Sequence, residues 1–306
     1  CCVLGAIGAG IMFQANQSVA IIADSFGFNL FTKMMFVIAM AVMIGFILLG
    51  GIKRIALIAE SIVPFMAILY ITSCLVILSI NYQGVPYAIM VMFTSAFSEN
   101  ALYGGIIGAI IQGFRRAAFS NEAGLGSAPI AHAAARTKEP VREGCVALLE
   151  PFIDTIVICF MTGIVIVTTG TYMNATVDSG GVLITAQSFS TVSSWFPHIL
   201  SLVVFLFAFS TMLTYSYYGQ QAWLFLTKGK YTKVCHIIFI FFIFIGGMTK
   251  LSTVIDLADI LFLSMSIPNI IGLYILAPDI KKMLNKYVAK LKNGDFEKDR
   301  IQAKKN

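Results

Sequence analysis

The feature that bounds the fold of this chain is the length of its unbroken apolar runs, such as Ile237–Gly247. A helix needs about 20 mostly apolar residues to cross the hydrocarbon of a bilayer. Eight segments reach or come near that length: 3–23, 34–51, 55–79, 103–134, 145–169, 196–226, 233–247 and 252–277. The strands of a membrane barrel would alternate apolar and polar residues, and these runs do not. Only helices and closed barrels satisfy every backbone group in lipid. The expected fold class is therefore an all-α polytopic membrane protein. The stretch 84–99 is too short to span and reads as a surface or re-entrant helix; 182–190 is a similar half-apolar piece.

Composition agrees. The 306 residues are 58% hydrophobic and only 12% charged, where an ordinary soluble domain carries about 25% charged residues. That share is too small to coat a water-facing surface, which excludes a soluble enzyme, a disordered chain and a nucleic-acid binder. The organisation expected is a single transmembrane domain over 1–278 and a basic tail over 279–306. In the tail Met283, Tyr287 and Leu291 recur at helical spacing among lysines. This is either an amphipathic helix on anionic membrane lipid or a solvated tail.

The net charge of +6 reads as a topology signal. With the connections taken alternately, one side receives Lys53, Arg54, Arg136, Lys138, Arg142, Lys228, Lys230, Lys233 and the nine basic residues from Lys281 to Lys305. The other side receives only Lys33 and Lys250, and Arg115 and Arg116 fall inside the fourth segment. The positive-inside rule then places the C-terminus in the cytoplasm and the 170–194 loop outside the plasma (inner) membrane. The chain opens on Cys1 within an apolar run, without Met or a signal peptide, and is expected to be a fragment lacking upstream helices. Its six cysteines form no CxxC pair, so neither metal ligation nor a disulfide framework is expected. Asn174-Ala175-Thr176 is a sequon of the kind that also arises by chance.

The fourth segment carries the chemistry. Gly113, Gly124, Gly126 and Pro129 disfavour a continuous helix. Ser120, Asn121 and Glu122 lie about 27 Å of helix rise beyond residue 103, at or past mid-depth. Polar groups there are costly and serve a pathway or a buried pair. A broken helix frees carbonyls for a cation and points the N-terminus of the next half-helix, near Gly124–Ser127, at a carboxylate. A glycine-rich packing interface is the alternative, but packing alone does not call for Asn121 and Glu122. In the first segment Gln14 and Gln17 share a face. In the sixth, the hydroxyls of Ser210, Thr211 and Thr214 can ligate Na⁺ or bond back to their own helix carbonyls. Glu150 and Asp154 are expected in a structural network or paired with a basic loop residue. No HExxH, P-loop, TVGYG or GxSxG motif is present, and His132, His198 and His236 are far apart, so an enzyme is not expected.

The run Gly113-Phe-Arg-Arg-Ala-Ala-Phe-Ser-Asn-Glu-Ala-Gly-Leu-Gly-Ser-Ala-Pro-Ile-Ala-His132 resembles the alanine or glycine:cation symporter family, also called sodium:alanine symporters. So do Gly10–Gln17, Gly50–Arg54, Arg136–Val141, Leu149–Thr155 and Pro268–Tyr274. The resemblance implies the five-plus-five inverted-repeat transporter fold of the amino acid–polyamine–organocation superfamily. Only three segments precede the broken one, so the first two core helices of that fold are expected to be missing. By matching position, the resemblance implies a substrate site of Gln14, Phe119, Ser120, Gly124 and Tyr215. It implies a partial Na⁺ site at Ser210 and Thr211, and Arg115 and Arg116 as gate or salt-bridge residues. Thr214-Tyr215 stands where the family commonly has Gly-Trp, and Ile11 where it commonly has Asn, which reshapes the pocket. The function implied is import of small neutral amino acids, alanine or glycine, coupled to Na⁺ by alternating access. The alternatives are an H⁺-coupled amino-acid symporter and a truncated, non-transporting fragment. A channel would need a continuous polar stripe, whereas the polar residues here cluster at one depth. The expected partners are the amino acid, Na⁺ and membrane lipid, with no nucleic acid.

Overall fold

The computed structural model describes residues 1–97, 105–174, 180–294 and 296. Residues 103–104 of the fourth segment, Ala175 and Thr176 of the sequon, and the end of the tail lie outside the described residues. All regular structure among the described residues is helical. The helices are α1 (Cys2–Phe26), α2 (Leu30–Leu48), α3 (Gly51–Ile80), α4 (Val85–Ala96), α5 (Gly105–Asn121) and α6 (Ala128–His132). They continue with α7 (Pro140–Thr169), α8 (Val182–Ser190), α9 (Phe196–Leu226), α10 (Thr232–Met248), α11 (Leu251–Leu263) and α12 (Ser266–Lys292). Six helices among the described residues are long and apolar enough to cross a membrane, which is the architecture of a polytopic membrane protein. The stretches at 84–99 and 182–190 form the short helices α4 and α8.

Two boundaries differ from expectation. The eighth segment is interrupted at Ser264 and Met265, where α11 ends and α12 begins. Helix α12 then runs unbroken through Pro278 to Lys292, so no helix end marks residues 278–279. Proline removes one backbone hydrogen bond without stopping a helix whose neighbouring turns stay bonded.

Helix α1 is the axis of the bundle. Of its most apolar stretch 78% is buried, against 50% for α9 and 28% or less for the other long helices. Lipid is as apolar as leucine, so helices associate through close packing rather than a hydrophobic drive. The glycines of the crossings provide it. A Cβ on Gly10 would fall 2.1 Å from Cγ of Tyr215 in α9, and one on Gly246 of α10 would fall 2.4 Å from Cα of Met12. One on Gly8 would sit 3.1 Å from Cα of Ala258 in α11. From Ala6 to Phe13 the helix widens to i→i+5 bonding. A second such stretch, Phe152–Cys159, lies in α7. These π-type turns are uncommon and collect at functional positions. Gln14 follows the first one, and its side-chain amide donates to the Ala9 carbonyl at 3.5 Å.

Helix ends inside an apolar bundle leave orphan carbonyl and N–H groups, and α1 supplies their partners. Asn16 Nδ2 donates to the carbonyls of Gly246 (3.1 Å) and Thr249 (2.7 Å) at the end of α10. Gln17 Oε1 accepts the Val182 N–H at the start of α8 (2.9 Å), and its Nε2 donates to Asn16 Oδ1 (3.1 Å). One dipeptide thus ties two helix ends to the axis. Asn16→Ala should destabilise the bundle by about 1–3 kcal/mol, because buried carbonyls lose their donors. Gln14→Ala should cost less, since its single bond is long. Thermal unfolding in detergent checks the order; equal melting temperatures for the two variants would contradict it.

Candidate functional site

The fourth segment breaks where its glycines stand. Between α5 and α6 the chain adopts positive φ at Glu122 (58°), Gly124 (82°) and Gly126 (88°). Glycine takes this region freely, whereas at Glu122 it is strained and must be held by its surroundings. The Ser127 hydroxyl donates to the Glu122 carboxylate, and the Tyr215 phenol faces the same group. Asn121 Oδ1 accepts the Ala123 N–H at 3.0 Å. From α12, Asn269 Nδ2 donates to the Gly124 carbonyl at 2.9 Å, and a Cβ on Gly126 would lie 2.8 Å from Asn269 Oδ1. Leu125 is buried among Tyr215, Tyr218 and Phe262.

The π-type stretch of α7 meets the end of α5. The Ser120 hydroxyl donates to the Asp154 carboxylate and lies 3.2 Å from Cys159 Sγ. Asn121 Nδ2 donates to Thr155 Oγ1 at 3.0 Å. On its other side α5 meets an aromatic cluster. The Phe119 ring centroid is 5.1 Å from that of Phe13 and 5.2 Å from that of Phe262. Tyr215 stands 5.9 Å from Phe262 and 5.3 Å from Tyr218. The Arg116 guanidinium lies over Phe119 at 5.3 Å. Both Arg115 and Arg116 reach one oxygen of Asp259 in α11, Arg115 at 2.5 Å.

The structure therefore brings most of the singled-out residues to one region. Phe119 and Tyr215 share the aromatic cluster through Phe262; Gln14 follows Phe13 in α1, with its side chain on the Ala9 carbonyl of its own helix. Ser120 and Asn121 bond to α7, where Asp154 belongs to their network. The open side of Gly124 meets no atom within 4 Å. The Glu150 carboxylate is 3.5 Å from Nε2 of His132, while Glu143 bonds Nδ1 at 2.8 Å. A cavity of about 460 Å³ opens beside this pair, between Pro129 and Ala147. The hydroxyls of Ser210 and Thr211 both donate to the Phe207 carbonyl, at 3.0 and 2.8 Å, and Thr214 bonds the Ser210 carbonyl. Their lone pairs, not their protons, are what they offer a cation.

One expectation is corrected. The half-helix after the break is the five-residue α6, too short for aligned peptide dipoles to sum into an N-terminal anion site. Two residues were also missed. Asp259 could have been found as the acid demanded by two arginines in an apolar segment. Asn269 carries no such signal, because its role depends on a loop far away in sequence.

The sodium:alanine symporter family model matches residues 1–302. The chain is 37% identical over 96% of its length to an uncharacterized transporter of Haemophilus influenzae, covering 65% of that protein. It is 39% identical over 89% of its length to the sodium/alanine symporter AgcS of Methanococcus maripaludis, covering 60% of it. It is 35% identical over 95% of its length to the probable sodium/glutamine symporter GlnT of Bacillus subtilis, covering 61% of it. The chain thus spans less than two thirds of the length of these relatives. It belongs to the sodium:alanine symporter family, a family of transporters and not of enzymes.

Proposed function

We propose that this chain forms part of a Na⁺-coupled symporter that imports small neutral amino acids, alanine or glycine, by alternating access. The observation that carries the reading is the break at Glu122–Ser127, held open against the aromatic cluster of Phe119 and Tyr215. An interrupted helix lining a polar site is the recurring device of ion-coupled transporters. In this reading Gln14, Phe119, Ser120, Gly124 and Tyr215 face the substrate. Ser210 and Thr211 offer hydroxyl lone pairs to Na⁺, with further ligands from the rest of a five-plus-five inverted repeat. The protein sits in the plasma (inner) membrane with its C-terminus in the cytoplasm, and the lysines after Pro278 meet anionic lipid. Glu122, a carboxyl at the break itself, favours a second reading in which a proton replaces Na⁺ as the coupling ion.

In proteoliposomes, alanine uptake by the purified transporter should require Na⁺. Uptake unchanged when choline replaces Na⁺, with the proton gradient collapsed, would refute ion coupling. Phe119→Ala and Gln14→Ala should raise the alanine KM about tenfold, the equivalent of one lost substrate contact of ~1.4 kcal/mol, with little change in the Na⁺ half-saturation. Thr211→Ala should do the reverse; a common shift of both constants in every variant would contradict the assignment.

A further inference from the structure

We infer that His132, as an imidazolium held between Glu143 and Glu150, is a positioning residue that fixes the far side of the break to α7; this rests on the symport reading above. Carboxylates stand at both ring nitrogens. Glu143 Oε1 lies 2.8 Å from Nδ1, and Glu150 Oε2 lies 3.5 Å from Nε2. An ionised carboxylate offers only acceptors, and a neutral imidazole carries only one N–H. A neutral His132 would therefore turn a lone pair on one of the two acids. Only the imidazolium donates at both nitrogens.

What this clasp positions follows from α7. Glu143, Glu150 and Asp154 stand at i, i+7 and i+11, on one face of that helix. Asp154 and Thr155 accept from Ser120 and Asn121, the last residues of α5. Glu143 and Glu150 hold His132, the last residue of α6. One helix thus grips the chain on both sides of the break, as a splint across Glu122–Ser127. Gly124 and Gly126 give that stretch little stiffness of its own. A cavity of about 460 Å³, lined by Pro129, His132, Glu143 and Ala147 among others, leaves α6 room to shift against α7. Ile130 and Ala131 pack on the aromatic cluster, so losing the clasp loosens α6 without freeing it. Other charged or titratable groups border the clasp. Arg142 stands on α7, and Arg136, Lys138 and Glu139 on the link before it. Lys290 of α12 pairs with Glu139, and Tyr217 of α9 lines the other side of α6. The imidazole is the group whose ordinary titration falls in the physiological range. Below that titration the clasp is closed. As the pH rises through it, one acid loses its donor and α6 slackens, and the substrate face at Gly124 slackens with it.

The test is equilibrium binding of labelled alanine to the purified transporter in Na⁺, at about pH 6 and about pH 8, on either side of the ordinary histidine titration. Alanine itself stays zwitterionic at both. The wild type should bind about threefold more weakly at the higher pH, the shift that one partly exposed ion pair supports. His132→Gln, which cannot take the charge, should bind at the weaker level at both pH values. His132→Arg, a permanent cation with donors on both sides of its fork, should bind at the tighter level at both. It also reads the same property if the glutamine variant does not fold. Equal wild-type affinity at the two pH values would overturn the role of His132, as would a pH ratio that survives in either variant. Failure of the wild type to bind alanine in Na⁺ at both pH values would instead overturn the symport reading, and this role with it.

Discussion

The pairing of Arg115 and Arg116 with Asp259 is the constraint on which the arrangement around the break depends. An unpaired charge within an apolar bundle costs several kcal/mol, so α5 docks where α11 presents its one buried carboxylate. That contact sets the rotation of α5 about its axis. Phe119, one turn beyond Arg116, is thereby turned onto Phe262, one turn beyond Asp259. Much of the rest of α5 is exposed: Ile107, Ile111 and Phe114 are among its uncovered side chains. The helix is thus held by an ion pair, an aromatic contact and its hydrogen bonds to α7 rather than by a broad apolar face. The break that follows inherits its position from these contacts and from Asn269.

The second requirement is the satisfaction of backbone at interrupted and buried helix ends. Asn16, Gln17, Asn121 and Asn269 all serve it. Each amide bonds a main-chain group at a helix end or in the break, and the shorter of these bonds measure 2.7 to 3.0 Å. A polar residue within an apolar segment thus does not by itself mark a ligand site. Gln17 and Gln14 share a helical face, yet Gln17 is taken up in supporting α8 while Gln14 makes one long bond to its own helix. Ser210 and Thr211 show the same duality, since bonding back to Phe207 leaves their acceptor lone pairs available.

The positions of the long helices were legible because hydropathy is a local property: each segment of about 20 apolar residues is desolvated on its own. The break at 122–127 was legible for the same kind of reason, since Gly124 and Gly126 take backbone angles that other residues resist. The brevity of α6 was not legible. Ala128–His132 continues apolar towards Ala135, yet the helix ends at His132 with Ala133–Ala135 exposed. The interruption at Ser264 and Met265 was hidden for a similar reason, because no proline or glycine stands there.

The sequence by itself determined that this is a helical membrane protein, where its chain is charged, and that the fourth segment cannot be one straight helix. The family resemblance was likewise carried by contiguous residues. Only the tertiary structure decided which polar residues meet. Arg116 and Asp259 are 143 positions apart, and Asn269 reaches Gly124 across 145. Periodicity constrains the face on which each residue lies, but not which distant helix that face will touch. That choice is made by charge neutralisation and close packing of the whole bundle at once.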